Sequence, residues 1–121
     1  MTGAASGIGR AVAAALVESG AQVLAVDLEP DPGGPGESLA ADLTTRDGNR
    51  DAVDRAIAAF GGVDTIVANA GFQHVAPVAA FDEDRWDALL ALLLTSPFLL
   101  RPGGSAFTGA PFVMDAGWTA R

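Results

Sequence analysis

The chain contains no cysteine and no tyrosine, and all seven of its Lys-plus-Arg positions are arginine. Without cysteine there is no disulfide and no thiolate ligand, which fits a reducing cytoplasm. The single histidine, His74, has no second imidazole to join it, so a metal site is not expected and His74 reads as a loop residue. Without tyrosine and lysine, two of the side-chain types that enzymes use to move protons are missing. Positive charge is scarce as well. Arg10, Arg46, Arg50, Arg55, Arg85, Arg101 and Arg121 face 15 acidic residues, for a net charge of -8, which argues against a nucleic-acid partner. The most apolar stretch, residues 88–100, is broken by Thr95-Ser96-Pro97. It is shorter than the ~20 apolar residues of a membrane span and reads as a buried helix. No basic segment with an apolar core behind it opens the chain, so no signal peptide is visible.

What is present is enough for one domain. Half of the 121 residues are hydrophobic, so a sizeable core is available. Residues 8–19 carry a helical repeat in Ile8, Val12, Ala15, Leu16 and Ser19, with Gly20 as a stop. Residues 22–27 form a short β-branched run, expected as a buried strand that ends at Asp27. A Pro/Gly-rich loop spans 29–37, followed by a short strand at 38–42. The stripe Val53, Ile57, Phe60 predicts a helix over 46–60 that stops at Gly61-Gly62. A strand over 64–69, a helix over 83–94 and a last short strand at 112–114 complete the series. Strands alternating with helices imply a parallel sheet covered by helices, an α/β fold. The acids Asp82, Glu83 and Asp84 suit the positive end of the helix that follows them.

The segment Thr2-Gly3-Ala4-Ala5-Ser6-Gly7-Ile8-Gly9 opens the first helix. Glycines at 3, 7 and 9 permit a tight turn and close approach of backbone amides to a pyrophosphate, where the helix dipole favours an anion. Ser6 reads as a helix-start or cofactor-contact serine, since no base is placed to activate it as a nucleophile. Asp27 lies about 20 residues beyond the loop, at the end of the second strand, where a carboxylate accepts both ribose hydroxyls. It would repel a 2'-phosphate, which favours NAD over NADP.

These residues together resemble the short-chain dehydrogenase/reductase family: Thr2-Gly3-x-x-x-Gly7-Ile8-Gly9 is joined by Asn69-Ala70-Gly71. The resemblance implies an incomplete Rossmann-like, doubly wound parallel sheet with flanking helices. It implies a cofactor site from Gly3, Ser6, Gly7, Ile8, Gly9, Asp27 and Leu28, with Asp42 and Leu43 at adenine. Asn69, Ala70 and Gly71 would stabilise the sheet beside the cofactor. Phe72-Gln73-His74-Val75-Ala76-Pro77-Val78 and Asp115-Ala116-Gly117-Trp118-Thr119-Ala120 are similar to the D-3-hydroxybutyrate dehydrogenases within that family. There, the glutamine matching Gln73 helps hold the carboxylate of a small hydroxy acid. Trp118 is expected either at a subunit interface, as tails in this family are, or over the local core.

The resemblance runs in two pieces that meet near residues 98–102, so that the chain reads as a single shortened domain over 1–121. Family members are roughly twice this long, with the six or seven strands of the doubly wound plan. The block between the two pieces would hold the catalytic serine, the Tyr-x-x-x-Lys motif and two strands. With Trp86-Asp87 setting register, the family's catalytic helix asparagine falls on Leu93. No catalytic residue is therefore assigned. The first strand of the family would precede Thr2, and Met1 is expected to be a misplaced start within a longer frame. Without that strand, the strands ending at Asp27 and Asn69 would face each other across about 10 Å, twice the neighbour spacing. The functions in view are an NAD-dependent oxidoreductase of the 3-hydroxybutyrate type without turnover, a nucleotide-binding or subunit-interaction module, and a gene remnant. Pairing with another copy or an intact subunit would use the open sheet edge and the C-terminal tail.

Overall fold

A computed structural model describes residues 1–95. The expected strand at 112–114, the junction near 98–102 and Trp118 lie outside the described residues. Helix α1 spans Gly7–Glu18, strand β1 Leu24–Asp27, strand β2 Glu37–Ala40, helix α2 Arg46–Phe60 and helix α3 Glu83–Leu90, which runs on into a π-helical turn, Ala91–Thr95.

Strands β1 and β2 pair in parallel, with Leu24 opposite Glu37 and Asp27 opposite Ala40. Their side chains alternate between two faces. Leu24 and Val26 pack with Leu43, Ala52 and Ala56 on the α2 side. Val23 and Ala25 pack with Ala4 and Ala13 on the α1 side. Helices therefore cover both faces of the sheet, which makes it an incomplete doubly wound, Rossmann-like arrangement. Burying an aliphatic side chain such as Val26 contributes roughly 1.5–3 kcal/mol, and these two clusters hold the fold together.

Residues 28–36 join the two parallel strands without a helix, although such crossovers usually take a dozen or more residues. The Pro/Gly-rich composition makes the short path possible. Asp31 organises it by accepting from Gly33 N at 3.0 Å, while its carbonyl takes Gly34 N at 3.0 Å. An ion pair from Asp31 to Arg10 at 3.0 Å ties the loop to α1. Both partners are substantially exposed, so the pair contributes at most about 1 kcal/mol.

Local signals fix the helix ends. The Thr45 hydroxyl caps α2 by accepting from Gly48 N, and Gly61 closes it in the left-handed region at φ 83°. Asp82 caps α3 by accepting from Arg85 N at 2.8 Å, and Glu83 and Asp84 follow in its first turn. That cluster stabilises a helix start, as its charge predicted.

Three sequence expectations need correction. The buried face of α1 is Gly9 and Ala13; of the expected repeat, Val12 and Leu16 are half-buried while Ile8, Ala15 and Ser19 are exposed, because α1 lies so close to the sheet that only small residues fit beneath it. On α2 the buried face is Asn49, Ala52 and Ala56, while Val53 and Phe60 are only partly buried and Ile57 is 43% exposed. The run expected as a strand over 64–69 forms no ladder. Its backbone–backbone tie to the sheet is the Thr2 N–H donating to Val67 O at 2.9 Å.

The reason is the short chain between that run and β1. Met1 O accepts from Val26 N at 2.9 Å, and Ala4 N donates to Val26 O at 3.3 Å. Thr2 forms a parallel bridge with Val26. Residues 1–4 thus fill part of the expected gap. Behind them, a cavity of about 520 Å³ remains between Gln22–Val23–Leu24 and Val63–Asp64–Thr65–Ile66, floored by Ala52, Ala56 and Phe60. The Met1 ammonium sits at its mouth and donates to Leu24 O at 3.0 Å. Burial lowers its pKa below the usual 8.0, since desolvation disfavours the charged form.

Candidate cofactor site

The glycine loop leaves Thr2 and turns into α1. A side chain at Gly9 would run into Gly3 O, so glycine there lets the helix abut the loop backbone. Gly7 sits at φ +53°, with open space where its side chain would be. Backbone amides at the start of α1 therefore meet a surface free of side chains. No acidic residue occupies the first turn, and the Ser6 hydroxyl makes no capping bond. The positive end of the helix is left for an anion.

Two groups hold this loop in place. Asp27 Oδ2 accepts from Ala5 N at 3.0 Å, which ties the end of β1 to the loop. Asn69 acts from the other side: its Nδ2 donates to Thr2 O at 3.3 Å and Gly3 O at 3.2 Å. The Thr2 hydroxyl in turn accepts from Asn69 N and Ala70 N, both at 3.0 Å. Asn69-Ala70-Gly71 thus replaces the missing strand ladder with a side-chain clamp.

A cavity of about 670 Å³ gathers Gly3, Ser6, Gly7, Ile8, Gly9, Asp27, Leu28, Asp42, Leu43, Asn69, Ala70 and Gly71 along one wall system. Every cofactor residue expected from the sequence lines it. Ile8 and Leu28, 77% and 68% exposed, supply apolar surface there, which explains why Ile8 is missing from the core. A polar loop with free amides, a carboxylate and flanking apolar side chains supplies anion-binding, acceptor and apolar surface in one cavity.

Gln73, expected at a substrate carboxylate, is exposed and does not line this cavity. His74 is half-buried and stacks edge-on against Phe81 at 4.9 Å. Among the described residues no group of three or more His, Cys, Asp or Glu side chains is placed to hold a metal ion. No helix among them is long and apolar enough to cross a membrane.

Two features were not foreseen. Arg85 lines the cavity as its one cationic side chain among the described residues and lies over the Phe72 ring at 6.0 Å. Leu93 sits in the π-helical turn and would meet any side chain at Gly71 at 3.1 Å. Such turns occur often at functional sites, and here the position carries an apolar side chain that neither donates nor accepts a proton. The Asp82-capped start of α3 hinted at Arg85; nothing in the residue pattern marks a π turn.

The chain matches the model of the short chain dehydrogenase family over residues 1–103, and it belongs to that family. Members bind nicotinamide cofactors. The chain is 38% identical over 109 residues to the D-beta-hydroxybutyrate dehydrogenase of Cupriavidus necator, covering 81% of this chain and 42% of that protein. It is 35% identical over 108 residues to 3beta-hydroxysteroid dehydrogenase 2 of Eggerthella lenta, covering 79% and 42%. A metagenomic short-chain oxidoreductase, solved in complex with NADP, superposes with a TM-score of 0.71 at 34% identity, over 82% of this chain and 50% of that one. The chain thus spans less than half the length of these two curated relatives.

Proposed function

We propose that this chain is a nicotinamide-dinucleotide-binding domain that prefers NAD to NADP and does not itself turn over a substrate. The observation that carries the reading is Asp27, whose carboxylate stands in the same cavity as the glycine loop. A carboxylate there accepts from a ribose diol and opposes a 2'-phosphate. The bound nicotinamide would accept or give hydride; the residues of this chain would bind and orient it. Among site residues, Gly3, Ser6, Gly7, Ile8 and Gly9 take the pyrophosphate, Asp27 and Leu28 the ribose, and Asp42 and Leu43 the purine, while Asn69, Ala70 and Gly71 brace the loop.

The substrate plan is that of a small hydroxy acid, 3-hydroxybutyrate to acetoacetate, supported by the likeness to the Cupriavidus necator enzyme alone, since Gln73 lies outside the cavity. The steroid-acting relative at nearly the same identity makes this the finer part of the proposal. Absence of turnover rests on the sequence, which holds no tyrosine and no lysine, and on Leu93 in the π turn. Loss of a general base typically removes 10²- to 10⁴-fold of rate, about 3–5 kcal/mol of barrier. On this reading the chain is a single shortened domain, with a join near 98–102. An NADH absorbance assay with 3-hydroxybutyrate tests the reading. No signal above the blank is expected; turnover abolished by Asp27→Ala contradicts it.

A second reading, assembly with another subunit through the sheet, is favoured by the cavity of about 520 Å³ between β1 and residues 63–67. Size-exclusion chromatography with light scattering distinguishes it: a concentration-dependent dimer supports it and a monomer at all concentrations opposes it.

A further inference from the structure

The cavity at the glycine loop changes character from one end to the other. Residues 1–4 lie between β1 and residues 63–69: Met1 O accepts from Val26 N, and Thr2 N donates to Val67 O, both at 2.9 Å. With β2 on the other edge of β1, the order across the fold is β2, β1, residues 1–4 and residues 63–69. The cavity lining follows that order. Asp42 comes after β2, Asp27 ends β1, the glycine loop continues residues 1–4, and Phe72 continues residues 63–69. Arg85 joins the lining beside Phe72, with its guanidinium carbon 6.0 Å from the centre of that ring. Two carboxylates therefore stand at one end, backbone amides in the middle and a guanidinium at the other end.

The acids close to Arg85 in sequence do not neutralise it. Asp82, Glu83, Asp84 and Asp87 surround it along the chain, yet the ion pairs among the described residues are Arg10–Asp31 and Arg55–Glu37. Asp82 Oδ1 accepts from the Arg85 backbone N–H, a cap that makes no use of the side chain. An aromatic face beside a guanidinium attracts it and leaves its charge in place.

A dinucleotide alone does not account for a cation at this end. Its negative charge is at the pyrophosphate, which suits the free amides at the start of α1. With the adenosine ribose at Asp27 and the pyrophosphate at the loop, the nicotinamide half falls toward Arg85. That half carries no negative charge beyond the pyrophosphate, and its oxidised ring is itself a cation, which a guanidinium repels. A second ligand that brings an anion offsets the repulsion. One guanidinium matches one carboxylate through two parallel N–H···O bonds. A dianionic phosphate would set surplus negative charge near Asp82, Glu83 and Asp84.

We propose that Arg85 is a substrate-selecting residue: it takes the carboxylate of a small hydroxy acid bound beside the nicotinamide, and so favours acids over neutral alcohols. The inference deepens the substrate plan and rests on the nucleotide-binding reading of this cavity.

The test is the affinity of the NAD-saturated chain for 3-hydroxybutyrate and for its neutral analogue 3-hydroxybutyramide. Titrations are followed by the NMR signals of the arginine Nε–H groups, with that of Arg85 assigned by its loss in Arg85→Gln. The Arg85 side chain is exposed and the cap uses only its backbone N–H, so Arg85→Gln and Arg85→Lys keep the fold. In the unaltered chain the acid is expected to shift the Arg85 signal and to bind about tenfold more tightly than the amide, equivalent to about 1.4 kcal/mol. In Arg85→Gln that ratio falls to about one, in Arg85→Lys it falls part of the way, and NAD affinity holds in both. Equal affinity for acid and amide in the unaltered chain, no binding of the acid, or a preference that survives in Arg85→Gln overturns this proposal alone. So does a loss of NAD affinity in Arg85→Gln, which would place the guanidinium at the pyrophosphate. Failure of the unaltered chain to bind NAD overturns the nucleotide-binding reading, and this proposal with it.

Discussion

Asn69 donates through its side-chain amide to Gly3 O at 3.2 Å, across a sequence separation of 66 residues. With Thr2 O accepting from the same nitrogen, this contact couples residues 63–69 to the glycine loop where a sheet ladder is largely missing. Asn69→Ala leaves both carbonyls without that donor. Unfolding free energy from urea titration is expected to fall by about 1–3 kcal/mol, with a loss of NAD affinity in the same variant. A variant as stable as the parent would show that the clamp does not hold the loop.

Two glycines of the loop should fail differently. A methyl at Gly9 meets the Gly3 backbone, which cannot withdraw without breaking the Asn69 clamp. Gly9→Ala is expected to cost about 3 kcal/mol or more. Gly7 has open space around it and carries only its positive φ, so Gly7→Ala costs roughly 1–2 kcal/mol. Its methyl nevertheless projects where a phosphate would lie, and binding suffers more than stability. Melting curves and NAD titration on the two variants separate the effects; equal stability losses would contradict this account.

Met1 offers a pH test. Its ammonium has a folded pKa lowered by desolvation, so the unfolded chain binds more protons than the folded chain between that value and 8.0. The penalty on folding is full below the folded pKa and is relieved as pH rises through 8.0. Stability should therefore rise with pH in that window. Acetylating the amine keeps one N–H for Leu24 O and removes the charge, which raises stability most at the acid end and flattens this component. Joining about five apolar residues of the Val, Ala and Leu type to Met1, a strand's worth, should add to this by filling the cavity between β1 and residues 63–67. An extended or acetylated chain that melts no higher would contradict it.

The legible parts of this fold were those set by local chemistry. The Val53, Ile57 and Phe60 spacing and the Gly61-Gly62 stop placed α2 at Arg46–Phe60, and Asp27 closed β1 as expected. The glycine loop, Asp27, Asp42 and Leu43 do gather in one cavity. Features set by distant contacts were not legible. Which face of α1 is buried depends on how closely the sheet approaches, and small Ala13 rather than large Ile8 fits beneath it. Residues 64–69 carry a strand pattern, but a strand needs a neighbour along its length, and residues 1–4 supply only the top of one. Nothing in the residue pattern marks Asn49 as buried, because its partner carbonyls belong to the backbone, which no side-chain pattern reports.

The central claim is a dinucleotide site whose cofactor preference is set by Asp27, and calorimetric titration of NAD and NADP into the purified chain tests it most directly. NAD is expected to bind at least about tenfold more tightly than NADP, because a carboxylate close to a 2'-phosphate repels it by more than the 1.4 kcal/mol that tenfold requires. Asp27→Ala should weaken NAD and close the gap between the two cofactors. NADP binding as tightly as NAD to the unaltered chain, or a gap that Asp27→Ala leaves intact, would contradict the account.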